Sequence, residues 1–331
     1  MGVDGGWPYA HPMDQAFSQR VTSRGWLDEA HAWVHERAEE AGHVLAGPIQ
    51  QPRVRPWSTQ LVVPTDRGRL WFKANCPSMA FEPALHELLA GIAPDQVAAP
   101  LAIDPGRGWM LTVDRGETLG DSREPTLADW RGVLIATARL QRRLADHRDD
   151  VLATGVPDCA PVTVPDRFDA LLDLLRSVPA DHPSFVDAET AERLAARRDE
   201  LVEAVARLAT SAIPVTVQHG DVHPWNAFAD LRVFDFGDLQ WAHALEVLSV
   251  PYGWITSRTD IAWDEVMATY AEMWSDVASP RDVAELYAAT AFTQAVNRAL
   301  TWWESLETAT PEEWTEWGDA PRHHLLRVLE A

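Results

Sequence analysis

The sequence has few cysteines, a shortage of basic residues and no long apolar run. Its two cysteines, Cys76 and Cys159, lie far apart and fit neither a disulfide framework nor a zinc site. Lys and Arg number 28 against 50 Asp and Glu, and the net charge of -22 argues against a nucleic-acid partner, because phosphate backbones attract basic surfaces. No segment approaches the roughly 18 apolar residues of a membrane span, and no signal-peptide pattern opens the chain. We therefore expect a cytoplasmic protein with no membrane and no nucleic-acid partner.

The residues that are abundant indicate an ordinary globular protein. The chain is 46% hydrophobic and 24% charged, which is typical of a globular protein with about two domains or lobes. The acidic excess either concentrates a cationic substrate or only keeps the surface solvated, and solvation is the commoner role. Residues 1–20 are rich in Gly, Pro and His without periodicity, and we expect them to be irregular.

Short β-branched segments follow one helical pattern in the N-terminal part. Apolar residues at helical spacing predict an amphipathic helix at 23–42. A second helix is predicted to begin near Pro83, because proline suits the first turn of a helix. A small antiparallel sheet is predicted from strands at 54–58, 59–64, 69–74, 101–103 and 109–113. We place a lobe boundary after residue 113.

Helical patterns dominate the rest of the chain. Helices are predicted at 127–145, 167–177, 188–210, 263–274, 281–304 and 322–330. A loop is expected at 149–165. The two parts together predict an α+β fold, with an N-terminal lobe at 1–113 and a larger, mainly helical C-terminal lobe at 114–331.

Residues 215–238 gather polar groups between predicted strands. The pattern predicts a strand at 215–218, a polar loop at 219–226, a hairpin whose second strand is 231–234, and an acidic loop after it. This arrangement is expected to bring together the side chains of Asp221, Asn226 and Asp235.

The spacing of these residues indicates phosphoryl transfer. Such a reaction needs a carboxylate at the acceptor hydroxyl, two oxygen ligands for Mg²⁺ and a lysine at the nucleotide phosphates. His219, Asp221 and Asn226 reproduce the H-x-D-x-x-x-x-N spacing of a kinase catalytic loop, and Asp235 opens a D-F-G sequence. His219 and His223 are interpreted as structural hydrogen-bonding residues rather than as the catalytic base.

Residues 219–226 (HGDVHPWN) and 233–238 (VFDFGD) closely resemble the HGDxHPxN and IDFGD signatures of the aminoglycoside phosphotransferase and choline kinase-like family. The resemblance extends more weakly over roughly residues 45 to 310. It implies a protein-kinase-like, two-lobed fold with ATP and Mg²⁺ in the cleft. It also implies that Asp221 is the catalytic aspartate and that Asn226 and Asp235 bind Mg²⁺.

The resemblance also implies a nucleotide site in the N-terminal lobe. Lys73 would pair with the α- and β-phosphates, and we prefer Glu82 to Glu87 as the partner of this lysine. The chain has no Gly-rich phosphate loop, so Ser58 and Thr59 are the candidates for that role. The hinge residues expected at the adenine are Thr112, Val113 and Asp114.

Trp-rich segments near the C-terminus suggest the acceptor site, which lies on the helical lobe in this fold. Trp faces suit sugar rings and cations. The substrate-site candidates are Asp238, Arg298, Trp302, Trp303 and Glu304, although an aspartate in the position of Asp238 is more commonly a helix cap. The expected acceptor is a small hydroxylated molecule such as an amino sugar, an aminoglycoside or an amino alcohol.

Two other functions remain possible from the sequence. One is a catalytically silent, nucleotide-binding or scaffolding member of the fold, although such members commonly lack one of the residues present here. The other is a metal-dependent hydrolase, which would have no use for Lys73. The protein is expected to be a monomer or a homodimer.

Overall fold

The computed structural model describes residues 15–331, so the expectation for residues 1–14 lies outside the described part of the chain. The rest of the segment expected to be irregular contains a short helix, α1 (Phe17–Val21), whose Phe17 and Val21 are buried. These two side chains belong to a small apolar cluster with Cys76 and Met79. Tertiary packing therefore forms a helix that the local composition does not predict.

A five-stranded antiparallel sheet forms the N-terminal part, with the order β1-β2-β3-β5-β4. Its strands are β1 (Gln50–Val54), β2 (Ser58–Thr65), β3 (Gly68–Asn75), β4 (Ala102–Asp104) and β5 (Trp109–Val113). The strand predicted at 54–58 is wrong, because residues 55–57 form the turn between β1 and β2. Pro56 has no N–H to donate, and the N–H of Arg55 bonds back to the carbonyl of Ser58 at 2.9 Å.

The two faces of this sheet have different roles. Helix α2 (Arg24–Glu40) packs on one face, where Leu61, Phe72 and Trp109 are buried against it. Because successive side chains of a strand alternate between faces, Gln60 and Lys73 point to the other face and line a cleft. Helix α3 (Glu82–Ile92) follows β3, with its proline in the first turn as predicted.

Eleven further helices are described in the C-terminal part. They are α4 (Leu119–Ser122), α5 (Leu127–Leu144), α6 (Arg148–Ala153), α7 (Val164–Ser177), α8 (Ala188–Ala196), α9 (Arg198–Ala209), α10 (Ser249–Arg258), α11 (Trp263–Glu272), α12 (Pro280–Leu306), α13 (Pro311–Trp317) and α14 (Ala320–Leu326). Helix α12 runs through the centre of this part and contacts α7, α9, α11 and α14.

One helix prediction and one loop prediction need correction. The helix predicted at 188–210 is broken at Arg197, whose guanidinium donates to the carbonyls of Leu329 at 3.1 Å and Ala331 at 2.6 Å. The loop predicted at 149–165 contains most of α6, which is polar in sequence and is held by one fully buried side chain, Val151. Long-range contacts decide both cases, and these are not visible in local periodicity.

The segment 215–238 also differs from its prediction. Strand β6 (Val215–Gln218) pairs with β7 (Gln240–His243) in a separate two-stranded sheet. The predicted hairpin is reduced to a single bridge between Ala227 and Val233. A strand cannot continue through Leu231, because its φ of 71° lies in the left-handed region.

The α+β fold class is confirmed by this small antiparallel sheet and the many helices that follow it. The division into lobes at residues 113 and 114 stays a prediction. In the described residues, no helix has the length and apolar content needed to cross a bilayer.

Candidate active site

Two cavities meet in the cleft between the sheet and the helical part. The first, of about 530 Å³, lies against the sheet, and the second, of about 200 Å³, lies beside α12. Five residues line both cavities and so form the junction between them: Arg53, Lys73, Trp225, Asn226 and Asp235. Three of these five are residues for which the sequence predicts a role in phosphoryl transfer.

The loop after β6 is fixed by tight backbone contacts. Gly220 has a φ of 81°, and a Cβ atom at this position would lie 2.3 Å from the carbonyl oxygen of Asp238. His219 donates from Nε2 to the carbonyl of Phe234 at 2.9 Å and accepts the N–H of Asp221 at Nδ1. Burial lowers the pKa of His219, which favours the neutral ring that this pairing requires. The loop therefore holds Asp221 in a defined position.

The carboxylate of Asp221 has three polar neighbours. Asn226 donates its amide to the Asp221 carboxylate at 3.1 Å and to the Asp221 backbone carbonyl at 2.9 Å. His223 Nε2 lies 3.3 Å from one carboxylate oxygen, and Arg298 lies 3.7 Å from the other. Burial opposes the charged form, but His223 and Arg298 outweigh it and lower the pKa of Asp221. The side chain is thus held as a carboxylate that can accept a proton.

Lys73 is held by two carboxylates. Its Nζ lies 2.6 Å from Glu82 and 2.6 Å from Asp235. Burial disfavours the ammonium charge, but the two carboxylates outweigh it and raise the pKa of Lys73. Conversely, burial raises and Lys73 more strongly lowers the pKa of Asp235, which falls to about 2. The structure therefore places Glu82 beside Lys73, whereas Glu87 is exposed one turn later.

The donor set at the junction fits Mg²⁺. The amide nitrogen of Asn226 is used by Asp221, and the carboxylate of Asp235 uses one oxygen for Lys73. This leaves the carbonyl oxygen of Asn226 and the second carboxylate oxygen of Asp235 without a hydrogen bond from residues 15–331. Mg²⁺ commonly takes one or two such protein oxygens together with substrate phosphates and water. No cluster of three or more His, Cys, Asp or Glu suited to a metal occurs among the described residues.

The first cavity has the features expected of a nucleotide site. All three predicted hinge residues, Thr112, Val113 and Asp114, line it. Opposite them, Phe228 and Phe234 stack with their ring centroids 4.3 Å apart and also line the cavity. Aromatic and apolar walls with a few polar groups are typical of cofactor pockets.

The two residues predicted to replace a phosphate loop point in opposite directions. Ser58 lines the second cavity. Thr59 points to the other face of β2, where its hydroxyl donates to the carbonyl of Arg53 at 2.9 Å and accepts from Gln51 at 2.9 Å. Strand alternation therefore removes Thr59 from the cleft.

The second cavity combines charged and aromatic side chains. Arg298 binds Asp238 at 2.8 Å, and both residues line the cavity with Asp221. Burial raises the pKa of Asp238, although Arg298 opposes this shift. Trp302 and Trp57 form an aromatic wall, with their ring centroids 5.5 Å apart in an edge-to-face arrangement.

The other two substrate-site candidates lie elsewhere on α12. Trp303 is buried in the helical core, where it packs against Trp314 and His182. Glu304 lines neither cavity, and burial raises its pKa. Adjacent helical residues are about 100° apart around the axis, so Trp303 and Glu304 cannot share the direction of Trp302.

A family profile described as "Phosphotransferase enzyme family" matches residues 62–312, which is more than half of the chain. The chain belongs to this family. The match covers Lys73, Asp221, Asn226 and Asp235, and it confirms the resemblance to aminoglycoside phosphotransferases and choline kinases read from residues 219–226 and 233–238. No curated protein matches this phosphotransferase significantly by sequence.

Solved structures of several phosphotransferases and kinases are similar to this phosphotransferase in fold. A macrolide 2'-phosphotransferase type I is 13% identical with a TM-score of 0.57, and the alignment covers 90% of this chain and 98% of that one. An ethanolamine kinase from Plasmodium vivax is 12% identical with a TM-score of 0.59 and coverages of 92% and 89%. The GDP complex of a wild-type aminoglycoside 2'-phosphotransferase-IIIa is 14% identical with a TM-score of 0.53 and coverages of 90% and 97%.

The sequence did not single out several residues that line the cleft. Phe228 and Phe234 follow Asn226 and precede Asp235 in the chain, so their positions beside the two predicted Mg²⁺ ligands are a usable signal. Trp225, which is 43% exposed and lines both cavities, lies inside the predicted catalytic loop itself. Arg53 lies near the end of β1 and Trp57 lies in the turn after it, and neither gives a signal in sequence that distinguishes it from a surface residue.

Proposed function

We propose that this phosphotransferase moves the γ-phosphoryl group of a nucleoside triphosphate, with Mg²⁺, to a hydroxyl group of a small molecule. The observation that carries the proposal is the junction of the two cavities, where Lys73, Asn226 and Asp235 separate the nucleotide-sized cavity from the one that holds Asp221. We expect ATP as the donor. GTP is the second donor to test, because a similar solved structure is a GDP complex.

The reaction requires the acceptor hydroxyl to lie beside Asp221. As the acceptor oxygen bonds to the γ-phosphorus, the bond from that phosphorus to the β–γ bridging oxygen breaks and the nucleoside diphosphate leaves. Asp221 accepts the hydroxyl proton, and its hydrogen bond from Asn226 fixes the orientation of the carboxylate. Mg²⁺ would neutralise phosphate charge when held by Asn226 and Asp235, and Lys73 would pair with the α- and β-phosphates.

The second cavity favours a small acceptor. Its volume of about 200 Å³ is below the range of about 300–1,000 Å³ that is usual for sites of drug-sized ligands. The indole faces of Trp57 and Trp302 suit a sugar ring or an ammonium group, and the carboxylates of Asp221 and Asp238 favour a cation. These features support an acceptor that places one ring of an amino sugar or aminoglycoside, or an amino alcohol, in the second cavity.

A catalytically silent scaffold is the alternative. The complete set of reacting groups argues against a silent scaffold. Asp221 is charged and accessible from the second cavity, and Lys73 forms its ion pair with Glu82. The Lys73 ion pair likewise disfavours a simple metal-dependent hydrolase, which needs no phosphate-binding lysine.

The test is Mg²⁺-dependent consumption of ATP or GTP against a panel of sugars, aminoglycosides and amino alcohols. Asp221→Asn is expected to lower kcat by roughly 100-fold or more while nucleotide affinity stays unchanged, because the carboxylate contacts the acceptor and not the nucleotide. Asp149→Asn is the control, since the Asp149 side chain is 98% exposed. Nucleotide binding without any stimulated turnover would favour the silent scaffold. Full activity in Asp221→Asn would show that another group accepts the proton.

A further inference from the structure

Arg53 lies at the junction where the transferred group must pass. Lys73, Asn226 and Asp235 have proposed roles there, and Arg53 is the other charged residue that lines both cavities. The strand register explains its position, because Arg53 on β1 pairs with Gln60 on β2, and Gln60 pairs with Lys73 on β3. The two cations are therefore carried by strands on either side of β2 and reach the same space.

The guanidinium of Arg53 has no partner in the described part of the chain. Its side chain makes no hydrogen bond and no ion pair there, and its Nε atom is buried without an acceptor. Three other arginines of the cleft are paired, Arg298 with Asp238, Arg69 with Asp114 and Arg232 with Asp230, whereas Arg115, which has no partner among the described residues, is exposed to solvent. A chain with a net charge of -22 offers many carboxylates, so an unpaired guanidinium at this point indicates an external anion.

The charge balance at the junction also indicates that Arg53 binds an external anion. The ammonium of Lys73 is already matched by the carboxylates of Glu82 and Asp235. Asp235 lines both cavities together with Arg53, and one of its carboxylate oxygens is used by Lys73. A γ-phosphoryl group brings further negative charge, and Arg53 is the cation at the junction that has no matching anion.

The turn between β1 and β2 offers few backbone donors to phosphate oxygens, so a side chain is needed to bind them. In many kinases, backbone N–H groups of a Gly-rich loop cover the phosphates. Here Pro56 has no N–H, and the N–H of Arg55 is used by the carbonyl of Ser58 at 2.9 Å. The turn therefore has few free donors, whereas a guanidinium offers a planar fork of N–H groups that matches phosphate oxygens.

We propose that Arg53 binds the oxygens of the γ-phosphoryl group at the junction and stabilises its charge during transfer. This inference rests on the proposed function. In the transfer, the new bond forms between the acceptor oxygen and phosphorus, and the nucleoside diphosphate departs with the electrons of the broken bond. Arg53 donates N–H groups to oxygens of the moving group and exchanges no proton. Its role is distinct from that of Lys73, which binds the phosphates that stay on the nucleotide.

The test compares triphosphate and diphosphate affinities, measured by calorimetry with and without Mg²⁺. The probes are ATP and ADP, or GTP and GDP if the wild-type protein prefers guanine. Arg53→Gln is expected to weaken triphosphate binding by roughly tenfold or more and to leave diphosphate binding within about twofold, because only the triphosphate carries the γ-group. Arg53→Lys keeps the charge but loses the fork, so a smaller loss is expected. Arg55→Gln is the matched control, since Arg55 is exposed and donates to the carbonyl of Val54 at 3.3 Å.

Three results would overturn the inference. If triphosphate and diphosphate binding weaken equally, Arg53 binds the α- and β-phosphates, which stay on the nucleotide. If triphosphate affinity is unchanged in a folded Arg53→Gln or Arg53→Lys protein, Arg53 does not bind the γ-phosphoryl group. In both cases the wild-type protein still binds nucleotide, so the proposed function stands. Absence of all ATP and GTP binding by the wild-type protein would defeat the proposed function, and this inference with it. Thermal unfolding of each variant identifies loss of fold, and Arg53→Lys supplies the decisive comparison if Arg53→Gln does not fold.

Discussion

The carboxylate of Glu82 accepts the backbone N–H of Phe236 at 3.0 Å. Its other oxygen receives Lys73 at 2.6 Å and the amide of Asn75 at 2.8 Å. One buried carboxylate thus connects α3, the sheet and the D-F-G segment that begins at Asp235. The position of Lys73 depends on the position of α3 through this single side chain.

We expect Glu82→Gln to lower the free energy of unfolding by about 3 kcal/mol, because a buried ion pair loses one partner and the amide NH₂ would face another donor. Nucleotide affinity is also expected to fall, since Lys73 keeps Asp235 as its only partner. Urea unfolding and calorimetry measure the two effects. Glu87→Gln is the control, because Glu87 is exposed, and a change within about 0.5 kcal/mol is expected. Equal effects of the two substitutions would contradict this account of Lys73.

Gly220→Ala is expected to destabilise the protein by about 2 kcal/mol or more and to reduce turnover. The φ of 81° disfavours any Cβ atom, and the new atom would lie 2.3 Å from the carbonyl oxygen of Asp238. Relief of this clash must move Asp221. Gly25→Ala, in α2, meets no heavy atom within 4 Å and is expected to be neutral or to stabilise by up to about 1 kcal/mol. A fully active, stable Gly220→Ala protein would show that the loop tolerates a shift.

Adjacent tryptophans on α12 are expected to give opposite phenotypes. Trp302→Ala removes part of the acceptor wall, so the KM for an acceptor found in the panel should rise while nucleotide affinity is unchanged. Trp303→Ala leaves a void in the helical core and should lower the free energy of unfolding by about 3–5 kcal/mol, with little change in the KM of the folded protein. Steady-state kinetics and denaturation separate the two. An unchanged acceptor KM in Trp302→Ala would remove this indole from the acceptor site.

Glu246 is expected to make stability depend on pH near neutrality. It is 1% exposed and accepts Thr293 Oγ1 at 2.7 Å and Asn297 Nδ2 at 3.0 Å. Burial raises its pKa from 4.5 to about 7, although these hydrogen bonds oppose the shift. Between pH 4.5 and about 7 the folded protein therefore binds a proton that the unfolded chain does not, so this stabilising contribution is complete at low pH and is lost as pH rises.

Denaturation of the wild-type protein and Glu246→Gln at several pH values tests this expectation. Relative to that of Glu246→Gln, the free energy of unfolding of the wild-type protein should fall by on the order of 3 kcal/mol at most between pH 5 and pH 8. The buried Oδ1 of Asn297 has no hydrogen-bond partner in residues 15–331, and a glutamine at 246 can donate to it if the Asn297 amide turns over. The exposed Glu285→Gln serves as the reference. Parallel stability curves for the wild-type protein and Glu246→Gln would show that Glu246 is charged throughout.

Among the predicted site residues that the structure brings together in the cleft, three lie in short motifs. Asp221 and Asn226 belong to one loop, and Asp235 follows a few residues later, so their proximity is a local property of the chain. Lys73 and Glu82 lie outside these motifs and are assigned from their order along the chain. The burial of Glu82 and the exposure of Glu87 agree with the preference for Glu82 as the partner of Lys73.

The errors concern which way a side chain points and which segments pair at a distance. Thr59 was assigned with Ser58, but strand alternation turns it away from the cleft. Trp303 and Glu304 were grouped with Trp302, but helical rotation places them elsewhere. The break at Arg197 depends on carbonyls more than 130 residues away, and β6 pairs with β7, a strand that the sequence analysis does not predict. Composition and periodicity contain no information about such contacts.

Trp57 belongs to the β1–β2 turn, whereas its two indole neighbours, Trp302 and Trp317, come from α12 and α13, with ring centroids 5.5 Å and 5.4 Å away. A molecule that enters beside Trp302 either extends this aromatic contact or displaces Trp57, and a displacement of Trp57 shifts the turn that follows β1. We therefore expect binding at the proposed acceptor site to be coupled to binding at the proposed nucleotide site. Since such coupling is reciprocal, bound nucleotide must change acceptor affinity by the same factor as bound acceptor changes nucleotide affinity. The indole triplet also supplies an intrinsic fluorophore at the point where the two ligands would communicate.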